Sequence, residues 1–242
     1  MNNTHTAVRR FTQNTTGRDL IVGDIHGCFS KLQAALDVVG FAPELGDRLF
    51  SVGDLVDRGP ECDAATDWLA QPWFHAVAGN HEDMAVRWPN GCMDPGNYMA
   101  NGGGWNIGNP PELQREIAET FAALPIAIEL ETEQGLVGIV HAECPLPVWA
   151  DFTGALQHPT LSRTQLQRLV DAAQWSRTRI TASDDSVVEG VRAVVVGHTP
   201  MERMTSLGNT IFIDTGAWVQ QGKTERTFTI LDAATLSQAR RP

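Results

Sequence analysis

The sequence has few cysteines, few basic residues and no long apolar run. Its four cysteines are scattered over 242 residues and form no Cys-x-x-Cys pair. This spacing argues against the disulfide framework of a small secreted domain and against a zinc site built from thiolates. Free thiols are typical of a reducing compartment, so we expect a cytoplasmic protein.

Acidic residues outnumber basic ones. The chain has 29 Asp and Glu against 18 Lys and Arg, for a net charge of −11. Proteins that bind a nucleic-acid backbone carry a basic face, so we expect no nucleic-acid partner. No stretch approaches the roughly 20 apolar residues of a membrane helix. No apolar segment follows Arg9 and Arg10, which argues against an export signal. We therefore expect no membrane partner, and a monomer by default.

The first third of the chain has the pattern of an α/β layer. Apolar runs at residues 19–22, 48–52 and 74–78 predict buried strands, each followed by a glycine. The helical patterns at residues 29–39 and 61–70 separate them. Strands that alternate with helices in this way form a sheet with parallel neighbours.

The remainder is richer in predicted strands. Residues 89–111 contain many Gly, Asn and Pro residues and predict an irregular insertion. The elements predicted after it are helices at 111–123 and 162–174 and strands at 126–132, 136–140, 192–196, 203–207, 210–213 and 227–231. We predict one α/β domain over residues 18–242, with two mixed β-sheets in a sandwich flanked by helices. A flexible polar leader over residues 1–17 is expected to precede it.

Three charged turns follow the three N-terminal strands. Their sequences are GDIHG at residues 23–27, GDLVDRGP at 53–60 and GNHE at 79–82. Ligands of open α/β sheets bind beyond the carboxyl ends of the strands, so these turns are expected to converge. His141 and His198 follow apolar runs in the second half and are expected at the same edge. Carboxylate, amide and imidazole groups are ligands for Mn²⁺, Fe or Zn²⁺, so the pattern predicts a metal site.

The three boxes in this order, followed by the two later histidines, resemble the metal-dependent phosphoprotein phosphatases. The segments at residues 101–105, 175–177 and 213–217 are similar to the compact bacterial and phage-lambda branch of that family. The resemblance spans about residues 18–232. It implies a calcineurin-like metallophosphoesterase fold. It also implies a phosphatase that hydrolyses phosphate monoesters on phosphoserine, phosphothreonine or phosphotyrosine, in proteins or small molecules.

The resemblance further implies a ligand set for two divalent metal ions. The implied ligands are Asp24 and His26 for a first ion, Asp54 between both ions, and Asn80, His141 and His198 for a second ion. By similarity to bacterial members the ions would be Mn²⁺, with Fe or Zn²⁺ as alternatives. A hydroxide that bridges the two ions would attack phosphorus directly.

Four more residues are implied in catalysis. Arg58 and Arg177 would bind the phosphoryl oxygens, because a guanidinium group matches phosphate in a bidentate way. His81 would protonate the leaving alkoxide, and Asp57 would orient its ring. Glu82 closes the third box and is expected to support the site through hydrogen bonds.

Other functions remain open. Symmetrical diadenosine tetraphosphate hydrolases share the same boxes but tend to lack the aspartate that stands here as Asp57, so its presence favours a leaving group that needs a proton. The acidic charge disfavours a nuclease. A non-catalytic scaffold that only binds phosphoproteins need not retain His81 or the full ligand set. Trp105 and Trp149 are candidate substrate contacts.

Overall fold

The computed structural model describes residues 7–157, 161–219 and 226–238. Within these ranges the strands are β1 (Val8–Phe11), β2 (Asp19–Val22), β3 (Arg48–Ser51), β4 (Phe74–Ala76), β5 (Ala127–Thr132), β6 (Gly135–Val140), β7 (Ala193–Val196), β8 (Thr205–Leu207), β9 (Thr210–Phe212), β10 (Ile230–Asp232) and β11 (Ser237–Gln238). The α-helices are α1 (Phe29–Val38), α2 (Ala64–Leu69), α3 (Asn80–Arg87), α4 (Pro95–Ala100), α5 (Gly104–Ile107), α6 (Pro111–Ala122), α7 (Trp149–Gln157), α8 (Arg163–Trp175) and α9 (Thr178–Ala182).

The strands form two mixed sheets. One sheet has the order β11-β10-β2-β3-β4, and the other has the order β1-β5-β6-β7-β9-β8. In the first sheet β2, β3 and β4 are parallel neighbours, as the sequence predicts. All four residues of β2 are buried, because this strand is covered on both faces. In the second sheet β6 and β7 are also parallel.

Three apolar cores hold the sheets and helices together. The middle core lies between the sheets and includes Ile21, Ile128 and Val195. The second core packs α1, α3 and α6 against the first sheet, and the third packs α7 and α8 against the second sheet. The order of layers is therefore helix, sheet, sheet, helix. The predicted sandwich flanked by helices is confirmed.

The N-terminal segment differs from the prediction. Residues 8–11 form β1, which pairs in parallel with β5, so they are not a loose leader. Val8 is buried whereas Arg9 and Arg10 are exposed. Val8 and the half-buried Phe11 anchor this edge strand. Two apolar residues separated by two arginines give no alternation that would predict a strand. Residues 1–6 of the predicted leader lie outside the described residues.

The 89–111 segment has more helix than the sequence predicts. Asp94 caps α4 by accepting a hydrogen bond from the backbone N–H of Asn97 at 2.8 Å, and Pro95 is the first helical residue. Gly103 packs against the ring of Tyr98, where a Cβ would lie 2.2 Å from the ring carbons. The glycines here therefore permit close packing. In the sequence they cannot be distinguished from the glycines of an irregular loop.

His75 on β4 makes stability depend on pH. Its ring lies 4.4 Å from that of Phe11 and 5.1 Å from that of Phe50. Burial, aided by Arg9 and Arg48, lowers the pKa of His75 to about 4. An unfolded histidine has a pKa near 6.5, so the unfolded chain binds the proton more tightly. The stability contributed by neutral His75 is complete above about pH 6.5 and is lost as the pH falls towards about 4.

We expect His75→Phe to lose less stability than the wild type between pH 7 and pH 5. The difference should be about 1 kcal/mol, a value reduced for the partial exposure of the ring. Urea unfolding midpoints at the two pH values measure it. Equal pH dependence in the two proteins would contradict the assignment.

Candidate active site

Five strand ends meet at one edge of the sandwich. Asp24, Asp54 and Asn80 follow β2, β3 and β4, and His141 and His198 follow β6 and β7. Each of these five side chains is at most 5% exposed. The parallel strands of each sheet point their carboxyl ends the same way, and packing the two sheets brings the two sets of ends together. The structure thus assembles residues that lie up to 174 positions apart.

Two groups of side chains within the described residues can hold a metal ion. One consists of His26, Asp54 and His81, and the other of Asp54, His141 and His198. In each group the ligand atoms all lie within 4.8 Å of one another. Asp54 belongs to both groups, so its carboxylate could contribute to the binding of two ions.

The contacts of Asp54 and Asn80 define the arrangement. Asp54 Oδ2 lies 3.6 Å from His26 Nε2, and Asp54 Oδ1 lies 3.3 Å from His141 Nε2. Asn80 Oδ1 lies 3.0 Å from His141 Nε2 and 2.8 Å from His198 Nδ1. The Asp54 carboxylate therefore lies near a histidine of each group, and the Asn80 amide oxygen lies near both histidines of the second group.

Backbone carbonyls fix the orientations of three of the four histidine rings in the two groups. A carbonyl oxygen can only accept, so the ring nitrogen facing it carries the proton and the other nitrogen presents a lone pair. The bonds run from His26 Nδ1 to Val56 O (2.8 Å), from His141 Nδ1 to Val52 O (2.7 Å) and from His198 Nε2 to Trp175 O (3.1 Å). The lone pairs of His26 and His141 lie on Nε2, and that of His198 lies on Nδ1.

The structure offers two residues for the third position of the first group. Asp24 Oδ2 is 4.0 Å from His26 Nε2, and both Asp24 oxygens accept the backbone N–H of His198 at 3.1 Å. His81 Nε2 lies 3.8 Å from Asp54 Oδ2, so the residue predicted as the acid is also within reach. The sequence alone cannot decide between Asp24 and His81 as this ligand, because both follow strands of the same sheet.

Four buried carboxylates surround the site. Burial and the nearby Asp214 raise the pKa of Asp24, and burial and Asp54 raise the pKa of Glu82 to about 7. Burial raises the pKa of Asp214 to about 6. Burial acts the same way on Asp54, but His141 and His81 outweigh it and hold its pKa well below the ordinary value. Carboxylates crowded in this way are a good environment for divalent cations.

The histidines respond to the same surroundings. Burial, followed by the nearby His81, lowers the pKa of His26. Burial and the neighbouring His141 lower the pKa of His198 to about 3. Both rings are therefore neutral near pH 7, the form that binds a metal. His141 differs, because the charge of Asp54 raises its pKa against the effect of burial.

Glu82 ties the second and third boxes together. Its carboxylate accepts backbone N–H groups from Asp54 at 2.9 Å, Leu55 at 2.8 Å and Gly79 at 2.7 Å. A Cβ on Gly79 would lie 2.2 Å from Asp54 Oδ1, so only glycine fits here. The expected hydrogen-bonding role of Glu82 is confirmed, and Glu82 fixes the loop that carries Asp54.

A second chain of contacts runs through the catalytic candidates. Asp57 Oδ2 lies 2.6 Å from His81 Nδ1, and Asp57 Oδ1 accepts the indole N–H of Trp105 at 2.6 Å. His81 Nε2 lies 3.2 Å from a terminal nitrogen of Arg58. Arg177 donates to the backbone oxygen of His198 at 3.3 Å, beside the second metal-ligand group. Of the four predicted catalytic side chains, His81 therefore belongs to the first group, and Asp57, Arg58 and Arg177 contact residues of the two groups.

The two candidate substrate contacts have other partners. Trp105 supports Asp57 through its indole N–H, as described above. Trp149 is only 1% exposed, packs in the core below the second sheet and donates its N–H to Glu129 at 2.9 Å. The prediction for Trp149 is wrong, because its loop-like sequence context is the start of α7.

Backbone strain is concentrated at the site. Within the described residues seven non-glycine residues have positive φ, and five of them belong to the candidate site. They are His26 (46°), Asp54 (52°), Asp57 (67°), Arg58 (65°) and His198 (66°). Such conformations are costly for residues other than glycine and persist where surrounding contacts enforce them, commonly at functional sites.

Three residues at the site receive no role from the sequence, although Asp214 lies in the segment 213–217 that resembles the family. Asp214 is 1% exposed and follows the apolar strand β9, a signal like that of Asp24 after β2. Trp218 packs against His26 with ring centroids 4.8 Å apart. Gln174 on α8 donates to the backbone oxygens of Ala78 and Gly79 and supports the third box from the helix layer. A lone glutamine or tryptophan carries no comparable signal.

Comparison with known proteins identifies the family of this chain. The calcineurin-like phosphoesterase family matches residues 18–202. Serine/threonine-protein phosphatase 2 of Salmonella typhimurium is 33% identical over 204 residues, which cover 82% of this chain and 87% of the relative. Serine/threonine-protein phosphatase 1 of the same organism is 34% identical over 202 residues, covering 81% and 85%.

The structural comparison supports the fold. A crystal structure of a putative diadenosine tetraphosphatase has a TM-score of 0.62 at 19% identity and covers 96% of this chain and 95% of its own. Within the described residues, no helix is long and apolar enough to cross a membrane. Together with the divalent-metal ligand groups, these matches confirm the resemblance that the three boxes indicate. The chain belongs to the calcineurin-like phosphoesterase family.

Proposed function

We propose that this protein is a metal-dependent serine/threonine protein phosphatase that hydrolyses phosphate monoesters. One observation carries the proposal: two metal-ligand groups share Asp54, and His81 of the first group also contacts Asp57 and Arg58. This arrangement supports a role for His81 as proton donor and for Arg58 as phosphate-binding cation at a dimetal site. The two phosphatase relatives, similar over most of the chain, support the same activity.

The proposed cofactors are two divalent ions, with Mn²⁺ preferred. Asp24, His26 and Asp54 would hold the first, and Asp54 would be shared with the second. The remaining ligands of the second ion would be Asn80, His141 and His198. The donors are oxygens and imidazole nitrogens without thiolates, a set that suits Mn²⁺. When bound, such ions supply an activated water molecule as nucleophile.

The protein's own groups position the substrate and move the proton. Arg58 and Arg177 approach the site from opposite groups and would bind the phosphoryl oxygens. His81 would donate a proton from Nε2 to the departing oxygen, because its Nδ1 is held by Asp57. Trp105 binds the other oxygen of Asp57 and so fixes the carboxylate. This acid assembly favours an alkoxide leaving group such as that of phosphoserine or phosphothreonine.

A groove beside the site has room for the rest of a protein substrate. It has a volume of about 620 Å³ and runs between α2 and α6. Trp105 forms part of its wall and links it to Asp57. The four cysteines are free, which supports a reducing, cytoplasmic location as part of this proposal.

Initial rates on three substrates test the proposal. The purified protein is treated with a chelator and assayed, with and without Mn²⁺, on p-nitrophenyl phosphate, a phosphoserine peptide and diadenosine tetraphosphate. We expect Mn²⁺ to restore turnover of both monoesters and to leave the dinucleotide intact. Preferential cleavage of the dinucleotide would show that the enzyme acts on nucleotides instead. Metal binding without turnover of any substrate would indicate a binding scaffold.

A further inference from the structure

Arg58 is an exposed side chain whose guanidinium group lies on an aromatic face. Its Cζ lies 4.3 Å from the ring centroid of Trp218. The same indole packs edge-on against His26, with ring centroids 4.8 Å apart and an interplanar angle of 73°. Trp218 therefore touches both a candidate phosphate-binding residue and a candidate metal ligand. Stacking on one face leaves the N–H edges of a guanidinium group free to donate to phosphate.

The turn that carries Trp218 also holds two buried polar atoms, Asp214 Oδ2 and Trp218 Nε1, that have no hydrogen-bond partner within the part of the chain that the structure describes. The other carboxylate oxygen of Asp214 accepts the backbone N–H of Gly216 at 2.8 Å. Asp214 and Trp218 lie in the same loop after β9, and the indole lowers the pKa of Asp214 against the stronger effect of burial, although the two groups fall outside hydrogen-bonding geometry. Buried polar atoms need partners, and each of these is the available partner of the other.

We propose that Trp218 is a positioning residue that holds Arg58 for phosphate binding, and that Asp214 holds the indole of Trp218. The inference rests on the proposed function, because it assigns a support to the phosphate-binding arginine. It parallels the other side of the site, where Asp57 accepts the indole N–H of Trp105. A carboxylate and a tryptophan thus support each member of the His81–Arg58 pair.

The contact with Trp218 can be kept while Arg58 changes its hydrogen-bond partner from His81 to phosphate. In this structure its terminal nitrogen lies 3.2 Å from His81 Nε2, the atom that must carry the transferred proton. A protonated Nε2 cannot accept from a guanidinium group, so Arg58 must turn its edge from His81 towards the phosphoryl oxygens. A face contact with Trp218 depends little on rotation in the ring plane, so it can persist while the edge changes partner.

The test compares the Trp218→Ala, Trp218→Phe and Asp214→Asn variants with the wild type. Manganese content and melting temperature are measured first, to establish loading and folding. The affinity for inorganic phosphate is then measured by calorimetry, and kcat and KM are measured on p-nitrophenyl phosphate. We expect Trp218→Ala to weaken phosphate binding and raise KM by about 5-fold to 20-fold, with a smaller change in kcat and unchanged metal content. Trp218→Phe should recover part of the loss, and Asp214→Asn should lie between Trp218→Ala and the wild type.

A double-mutant cycle separates this role from a structural one. If Trp218 acts through Arg58, Trp218→Ala should have almost no further effect on phosphate affinity in an Arg58→Ala background. Additive losses would overturn the proposal, as would loss of manganese in Trp218→Ala, which would place its action at His26. Should the wild type bind phosphate through this pair but hydrolyse no monoester, the proposed function would fail while the positioning role stands.

Discussion

Asp54→Asn is expected to lose both metal ions and to lower phosphatase activity by more than about 1,000-fold. Asp54 is the one residue within the described ranges that belongs to both metal-ligand groups, with Oδ2 towards His26 and Oδ1 towards His141. An amide keeps the shape but removes the charge that both ions share. Losing several kcal/mol of charge stabilisation corresponds to a rate loss of this size.

Metal content and thermal stability give readouts that do not depend on turnover. The wild type should bind about two manganese ions per chain and melt at a higher temperature when Mn²⁺ is added, because binding to the folded state stabilises it. Asp54→Asn should show neither property. Asp67→Asn, the same change on the exposed surface of α2, is the matched control and should behave as the wild type. An Asp54→Asn variant that retains both ions would disprove the shared-ligand arrangement.

The sequence predicts much of this fold because its signals are local. Buried runs such as residues 19–22 end at glycine and alternate with amphipathic helices, so the parallel order of β2, β3 and β4 follows directly. The edge strand β1 is missed because its pairing with β5 spans more than 100 residues and leaves only Val8 and Phe11 as local traces. Helices α4 and α5 are missed because glycines used for close packing resemble glycines used for turns.

The site residues, too, are predictable from the sequence only where their signal is local. Ligands that follow strands, such as Asp24 and His141, are readable because the end of a strand fixes their place. Supports that come from distant elements are not readable. Trp105 reaches Asp57 across 48 positions, and Gln174 reaches the third box across 95. Nothing in the local sequence of either residue records that contact.

His81→Asn is expected to separate substrates by their leaving groups. Proton transfer from a positioned acid contributes about 100-fold to 10,000-fold when the leaving group needs a proton. We therefore expect kcat on a phosphoserine peptide to fall within that range, and kcat on p-nitrophenyl phosphate to fall far less, because phenolate departs without help. Both rates are measured at saturating Mn²⁺ with metal content determined in parallel.

The metal content of the variants distinguishes between the two roles that His81 can have. Its Nε2 lies 3.2 Å from Arg58 and 3.8 Å from Asp54 Oδ2, so the same ring can serve as an acid or as a third ligand beside His26. As the acid, it should leave metal binding intact when replaced, and Asp57→Asn should reproduce its substrate pattern in weaker form, because Asp57 orients the ring. As a ligand, its loss should remove one ion and slow both substrates equally, and Asp24→Asn should then retain that ion. Full metal content with unequal rates therefore assigns Asp24 to the first metal ion and His81 to the leaving group.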